Sequence, residues 1–313
     1  MKKPVIFLSV AILIAAGFVG CDRFRNDEEL IKDLLISSYF SGEGSDGITD
    51  DASDNPNGAP GWSVSLYPDT VPSKWVRKLT YATRVVTVKV EGDSAWASIS
   101  RSITGRIYID TIPGNSILDT ISRPIADTMY REVTLKWNAA KNRWVIENIQ
   151  PAKLWTPGAS HPVEIEKIEV SSSPSGETFV MDDPTKFISV DDLPWLRKDD
   201  TVTVTVTAKQ LNADDTGWCY LHHGRNFNKA KAVPPNRKPF EKESTWVHKG
   251  TWKIGEDNVL AKISVRHAGI DLIYAGTLSY DPAAEYSAFA FGFPYIVYEE
   301  GETLPDDGQE TNE

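Results

Sequence analysis

Five oxygen-bearing side chains, Asp46, Asp50, Asp51, Asp54 and Asn55, crowd into ten residues. Calcium accepts six to eight such ligands. The alternating register of an EF-hand loop is missing, so Asp50, Asp51 and Asp54 are the metal candidates of the chain, and a solvated loop is the expectation. "GEGSDG" (42–47) in the same stretch spells a phosphate-loop pattern. That chemistry needs a strand before the glycines and a helix after them, and here a helical pattern precedes and an Asp-rich loop follows. Cys219, His222 and His223 in "GWCYLHH" carry zinc-ligand types, but in a strand adjacent side chains face opposite ways and cannot converge on one ion. The expectation is a core cysteine with edge histidines. Arg101, Tyr108, Arg131 and Glu132 lie in strand-like runs where they could point inward as an acid–base set. All five histidines fall at position 161 or later, so the first half has no side chain that titrates near neutral pH unperturbed. No catalytic residue, cofactor or bound metal is therefore expected.

The loop 224–242, "GRNFNKAKAVPPNRKPFEK", holds six basic residues against one acid in a chain of net charge −11. Arg225, Lys229, Lys231, Arg237 and Lys238 are thus candidate contacts for an anionic lipid headgroup, an anionic glycan or another envelope protein. The acidic balance of the rest gives no electrostatic reason to bind nucleic acid. Residues 299–313 hold seven acids and no base, the composition of a disordered tail.

Lys2 and Lys3 precede an uncharged run, Pro4 to Gly20, with the apolar centre "VIFLSVAILIAA". This is the layout of a secretory signal, and it lies at the short limit of what spans a bilayer. Phe18-Val19-Gly20-Cys21 then resembles a bacterial lipobox, with Phe18 where leucine is usual. The resemblance implies cleavage before Cys21, lipidation of its thiol and attachment to a membrane of the cell envelope, facing the periplasm or the exterior. Loss of Lys2 and Lys3 with residues 1–20 would take the net charge from −11 to −13. Cys219 would then have no disulfide partner, because only two cysteines exist.

These residues must be positioned by elements that the patterning suggests. "NDEELIKDLLISSYF" places Leu30, Ile31, Leu34, Leu35 and Ser38 on one helical face, with acids in the first turn. Strands are expected at 84–91 and 94–110 around a Gly92-Asp93 turn, and at 129–137 and 143–149 around "NAAKN". This order of helix, long loop and β-meander resembles the cystatin-like cone of ketosteroid isomerases and nuclear transport factor two, over 27–155. The resemblance implies an α+β domain with one helix on a curved antiparallel sheet. It also allows an isomerase-like enzyme or a small-ligand pocket as the alternative to a non-catalytic role in binding, adhesion or envelope assembly. A proline- and glycine-containing linker (156–162) follows a short tether (21–26) and this first domain. Short strand-like runs over 163–298 then suggest an all-β sandwich. "LRKDDTVTVTVTAKQLN" (196–212) resembles the opening strand of bacterial immunoglobulin-like modules, although Lys198-Asp199 replaces the usual glycine.

Overall fold

The computed structural model describes residues 27–38, 41, 75–110, 120–183, 185–212, 216–223, 236–254 and 263–299. One helix, α1 (27–37), precedes the strands β1 (Trp75–Tyr81), β2 (Val85–Glu91), β3 (Ser94–Asp110), β4 (Thr120–Asn138), β5 (Arg143–Ile149) and β6 (Ala152–Trp155). Then come β7 (Ile165–Ser173), β8 (Thr178–Met181), β9 (Ile188–Ser189), β10 (Trp195–Arg197), β11 (Thr201–Ala208) and β12 (Gly217–His223). The last strands are β13 (Asn236–Pro239), β14 (Glu241–Lys242), β15 (Val247–Lys253), β16 (Ile263–Tyr274) and β17 (Ala288–Tyr298).

The expected α+β cone followed by a separate sandwich is not what forms. A single sheet runs β1-β3-β4-β6-β17-β16-β12-β13 and curls into a half-barrel, with further strands at its sides. A second sheet, β14-β15-β11-β7-β8, covers part of it. The strand that overturns the two-part reading is β6. It pairs with β4 through Thr128↔Trp155 and with β17 through Phe289↔Trp155, so early and late strands share one hydrogen-bonded ladder across the 156–162 segment. The physical reason is the free edge of β4. Its N-terminal half extends beyond β5 and would expose unpaired backbone unless a distant strand covered it.

Local chemistry explains the individual elements. In α1, Ile31 and Leu35 are buried against Ala97, Ile99, Met129 and Val133 of the sheet. Leu30, placed on the buried face by its spacing, is instead half exposed. Asp27 is buried at the start of the helix and accepts a hydrogen bond from Trp144 Nε1 at 3.2 Å. Gly92, at φ 62°, makes the β2–β3 turn, a conformation that costs a residue with a Cβ about 1 kcal/mol or more. At Gly105 a Cβ would run into the Lys78 carbonyl, so glycine lets β1 lie against β3. Asp199 occupies the left-handed region at φ 70°, and its carboxylate meets Lys253 at 2.9 Å.

Alternation decides the faces. Along β17, Phe289, Phe291, Tyr295 and Val297 point to the second sheet, while Ala288, Ala290 and Ile296 point into the curl. The aromatic face is core, and the small face is buried as well. A proline suits an edge or a bulge, yet β17 is interior. The proline falls between the β6 pairing, which ends at Gly292, and the β10 pairing, which begins at Ile296. Its missing N–H therefore costs no ladder bond on that side.

The space between the two sheets contains one polar side chain without a partner. His248 on β15 is fully buried, and neither ring nitrogen has a hydrogen-bond partner. Burial, assisted by the Lys242 charge, lowers its pKa to about 4. The neutral ring is thus favoured in the fold. Its contribution is undiminished above the unfolded pKa of ~6.5 and is lost as pH falls through about 4, up to roughly 3 kcal/mol. Replacing a buried, unsatisfied polar group by an apolar one of similar size is neutral or stabilising. His248→Leu should raise stability at pH 7 by about 1 kcal/mol and flatten the loss between pH 6.5 and 4, as read by urea denaturation at both pH values.

Candidate functional site

Arg77 on β1, Asp127 on β4, His222 on β12, Asp271 on β16 and Tyr286 ahead of β17 all turn inward, into the curl of the large sheet. Period-2 alternation places them there. Trp75, Arg77 and Leu79 share one face of β1, and Ile125, Asp127 and Met129 share one face of β4. Arg77 and Asp271 are each 0% exposed. The guanidinium grips the carboxylate with two nitrogens: Nη1 donates to Oδ2, and Nη2 to Oδ1 at 3.2 Å. His222 Nε2 lies 3.2 Å from Asp271 Oδ2. The Trp75 and Tyr286 rings flank the cation, with centroids 5.3 and 5.5 Å from its central carbon.

A second carboxylate sits beside this pair. Asp127 accepts from Thr156 Oγ1 at 2.6 Å and from the Tyr286 hydroxyl at 2.9 Å. Trp75 Nε1 donates to the Tyr220 hydroxyl at 3.2 Å, and the two rings meet edge to face at 5.0 Å. The two carboxyls titrate far apart. Burial raises Asp127 to about 6, against the opposing effect of the Thr156 bond and of Arg77. Burial also works against the Asp271 charge, but Arg77 and His222 overcome it and hold that group at about 2. Tyr286 is pushed well above the usual phenol range by burial and stays protonated, despite the opposing charge of Arg77. One fixed anion and one titrating carboxyl beside a phenol are the parts of a general acid–base pair.

Access argues for a different use. Asp127 and Tyr286 are 5% and 6% exposed, and apolar side chains, including Trp75, Ile107, Ile125 and Ile273, pack around them. Two recesses lie elsewhere. One of about 200 Å³ sits between the start of β8 and β10 and includes Glu177, Phe179, Asp192 and Trp195. The other, about 580 Å³ and more open, runs along the Arg197–Asp200 and Lys198–Glu299 ion pairs. Neither includes a residue of the buried cluster.

Comparison with protein families, with curated proteins and with solved structures finds no match. The site therefore stands on its own geometry.

The residues singled out from the sequence are mostly elsewhere. Cys21, Asp50, Asp51, Asp54, Arg225, Lys229 and Lys231 lie outside the described residues, as does 300–313; Arg237 and Lys238 lie on β13. Cys219 is buried between the two sheets, its thiol raised well above its ordinary pKa by burial. His222 is not an edge histidine: it is 5% exposed and points away from Cys219 into the curl. Among the described residues no three His, Cys, Asp or Glu side chains are placed to hold a metal. No helix among them is long and apolar enough to cross a membrane.

Of the four inward candidates, Arg131 alone is deeply buried, with Nη2 3.4 Å from the Gly292 carbonyl. Arg101 donates to the Ala82 carbonyl at 2.7 Å. Tyr108 alternates with the buried Ile107 and Ile109 and so faces outward. Glu132 also faces outward and accepts from Tyr130 at 2.6 Å. Arg77, Asp127, Asp271 and Tyr286 were not singled out from the sequence. A charged residue at an inward position of an otherwise apolar alternation, as in "GIDLIY" (269–274), was the available signal.

Breaking a buried ion pair from one side leaves a charge without compensation, at a cost of about 3–5 kcal/mol. Asp271→Asn should lose that much stability. The double change Arg77→Met with Asp271→Leu should recover most of it. A double-mutant cycle by chemical denaturation measures the difference.

Proposed function

We propose that this chain is a lipid-anchored protein of the bacterial cell envelope, with a binding or structural role. The observation that carries the reading is the ordered N-terminus: Lys2 and Lys3, the apolar run to Gly20, then Phe18-Val19-Gly20-Cys21. Lipidation of Cys21 gives such a run a purpose, since two or three acyl chains anchor firmly where one is marginal. Five residues separate Cys21 from α1 and reach at most about 18 Å. The folded part is therefore held close to the bilayer. Its inward charges pair with one another across the sheet, which favours a scaffold over a catalyst.

The basic stretch 224–242, which was expected to be a loop but forms β13 and β14 over 236–239 and 241–242, is the contact in this reading, with an anionic glycan or lipid headgroup as the partner. Its six cations oppose the charge of the remaining chain and would orient the protein against a negative surface. The leaflet and the membrane follow from the sorting machinery of the host cell.

Mass spectrometry of the mature N-terminus should show a chain that begins at Cys21 and carries acyl groups. Cys21→Ala should move the protein from the membrane fraction to the soluble fraction. An intact Met1 or an unmodified Cys21 would overturn the anchor. Changing Arg225, Lys229, Lys231, Arg237 and Lys238 to Glu should abolish binding to vesicles or glycans of negative charge, and unchanged binding would remove the stretch from the reading.

A further inference from the structure

We propose that the buried cluster around Asp127 is a proton-dependent clasp, which holds the ends of the curled sheet together more tightly in mild acid than at neutral pH. β1 starts the strand path and β12 is its last strand but one. They share no backbone pairing and meet through side chains: Trp75 on Tyr220, and Arg77 on the Asp271 that His222 also contacts. The ends of the curl are thus joined through Arg77 and Asp271, the two charges that act on Asp127.

The charges facing Asp127 can be counted by element. β1 brings Arg77, β16 brings Asp271, and the segment before β17 brings the Tyr286 phenol, while His222 of β12 joins the set through Asp271. On β3 its register neighbour is the apolar Ile103. Along the same face of β4, Arg123 is engaged by the carbonyls of Ser279, Asp281 and Ala284, and Arg131 reaches toward Gly292. With both carboxylates ionised, the Arg77 guanidinium acts on two anions in a nearly enclosed site. The surplus negative charge disfavours closure. One proton on Asp127 removes it.

The hydrogen bonds accommodate both states. When Asp127 is ionised, Thr156 Oγ1 donates to it at 2.6 Å while accepting from the Ala288 N–H at 3.0 Å. When Asp127 is protonated, the Thr156 hydroxyl can turn its proton to the Ala288 carbonyl, 3.4 Å away, and accept the carboxyl proton instead. Tyr286 continues to donate to the other oxygen. One proton enters from solvent, one hydroxyl rotates, and no group is left without a partner. Thr156 is a positioning residue in this device, and a purely structural threonine would need no second acceptor.

The sign follows from the raised pKa of Asp127, about 6 in the closed form against ~3.9 when exposed. The contribution is fully present below ~3.9 and is lost as pH rises through about 6. Between pH 5 and 7.5 the opening equilibrium should grow about tenfold. Hydrogen exchange of the full chain, corrected for the intrinsic pH dependence of the rates, reads this by segment. Protection in 75–81 and 217–223 should fall about tenfold from pH 5 to 7.5, with little change in 201–208. Asp127→Asn should abolish the difference. Thr156→Val, which removes a donor from the ionised carboxylate, should move the midpoint to higher pH and serves if the Asn variant fails to fold. An equal change in 201–208, or a pH dependence that survives in Asp127→Asn and disappears in His222→Gln, would overturn the proposal.

Discussion

A strongly curled sheet must either pair its end strands through the backbone or fill its hollow with side chains. Here the ion pair between Arg77 and Asp271 joins the hollow from both sides. The pair works because each partner is fully enclosed and because the contact is bidentate, the geometry that suits a guanidinium and a carboxylate. Trp75, Tyr220 and Tyr286 pack around it and exclude water, which raises both the attraction within the pair and the cost of losing either member. Asp127 then sits in the field of that pair. Its place among apolar strands, and not its own sequence neighbours, makes it titrate near 6.

The same curl explains why β16 and β17 are buried on both faces. Their odd and even positions face different apolar layers: Ala268, Ile270 and Leu272 meet the second sheet, while Val265 and Ile273 face the hollow. A strand buried on both sides loses the polar alternation that marks a half-exposed strand. In such a strand any charged residue must find a partner inside, and Asp271 does so in Arg77 and His222. His248 is the counterexample. Placed between the two sheets with no partner, it stays neutral and carries a standing cost that the surrounding apolar contacts offset.

Much of the local structure could be read directly. The helix was placed by its acidic first turn and by Ile31 and Leu35, and the β2–β3 hairpin by Gly92-Asp93 and alternation on either side. Among the elements that escaped, three show why. β1, "WVRKLTY", was not recognised because its inward Arg77 breaks the apolar alternation. The first half of β4 lies outside the strand expected at 129–137 because Ser122, Arg123, Pro124 and Asp127 look like loop chemistry. β16 carries Arg266-His267 in mid-strand, and their buried positions are legible only when the covering strands are known. Each miss has one cause: polar residues that are inside the protein resemble polar residues that are outside it.

The sequence by itself determined the periodicities and the turn residues, because these depend on neighbours a few residues apart. It also determined that Cys219 would be core, since a small thiol among alternating apolar residues has no other favourable place. Only the tertiary structure decided that β6 bridges β4 and β17, that one sheet curls into a half-barrel instead of two independent units forming, and that Arg77 meets Asp271, 194 positions along the chain. Pairing partners for strand edges and for buried charges are chosen by what else is left unpaired once the whole chain has collapsed. No local pattern carries that information.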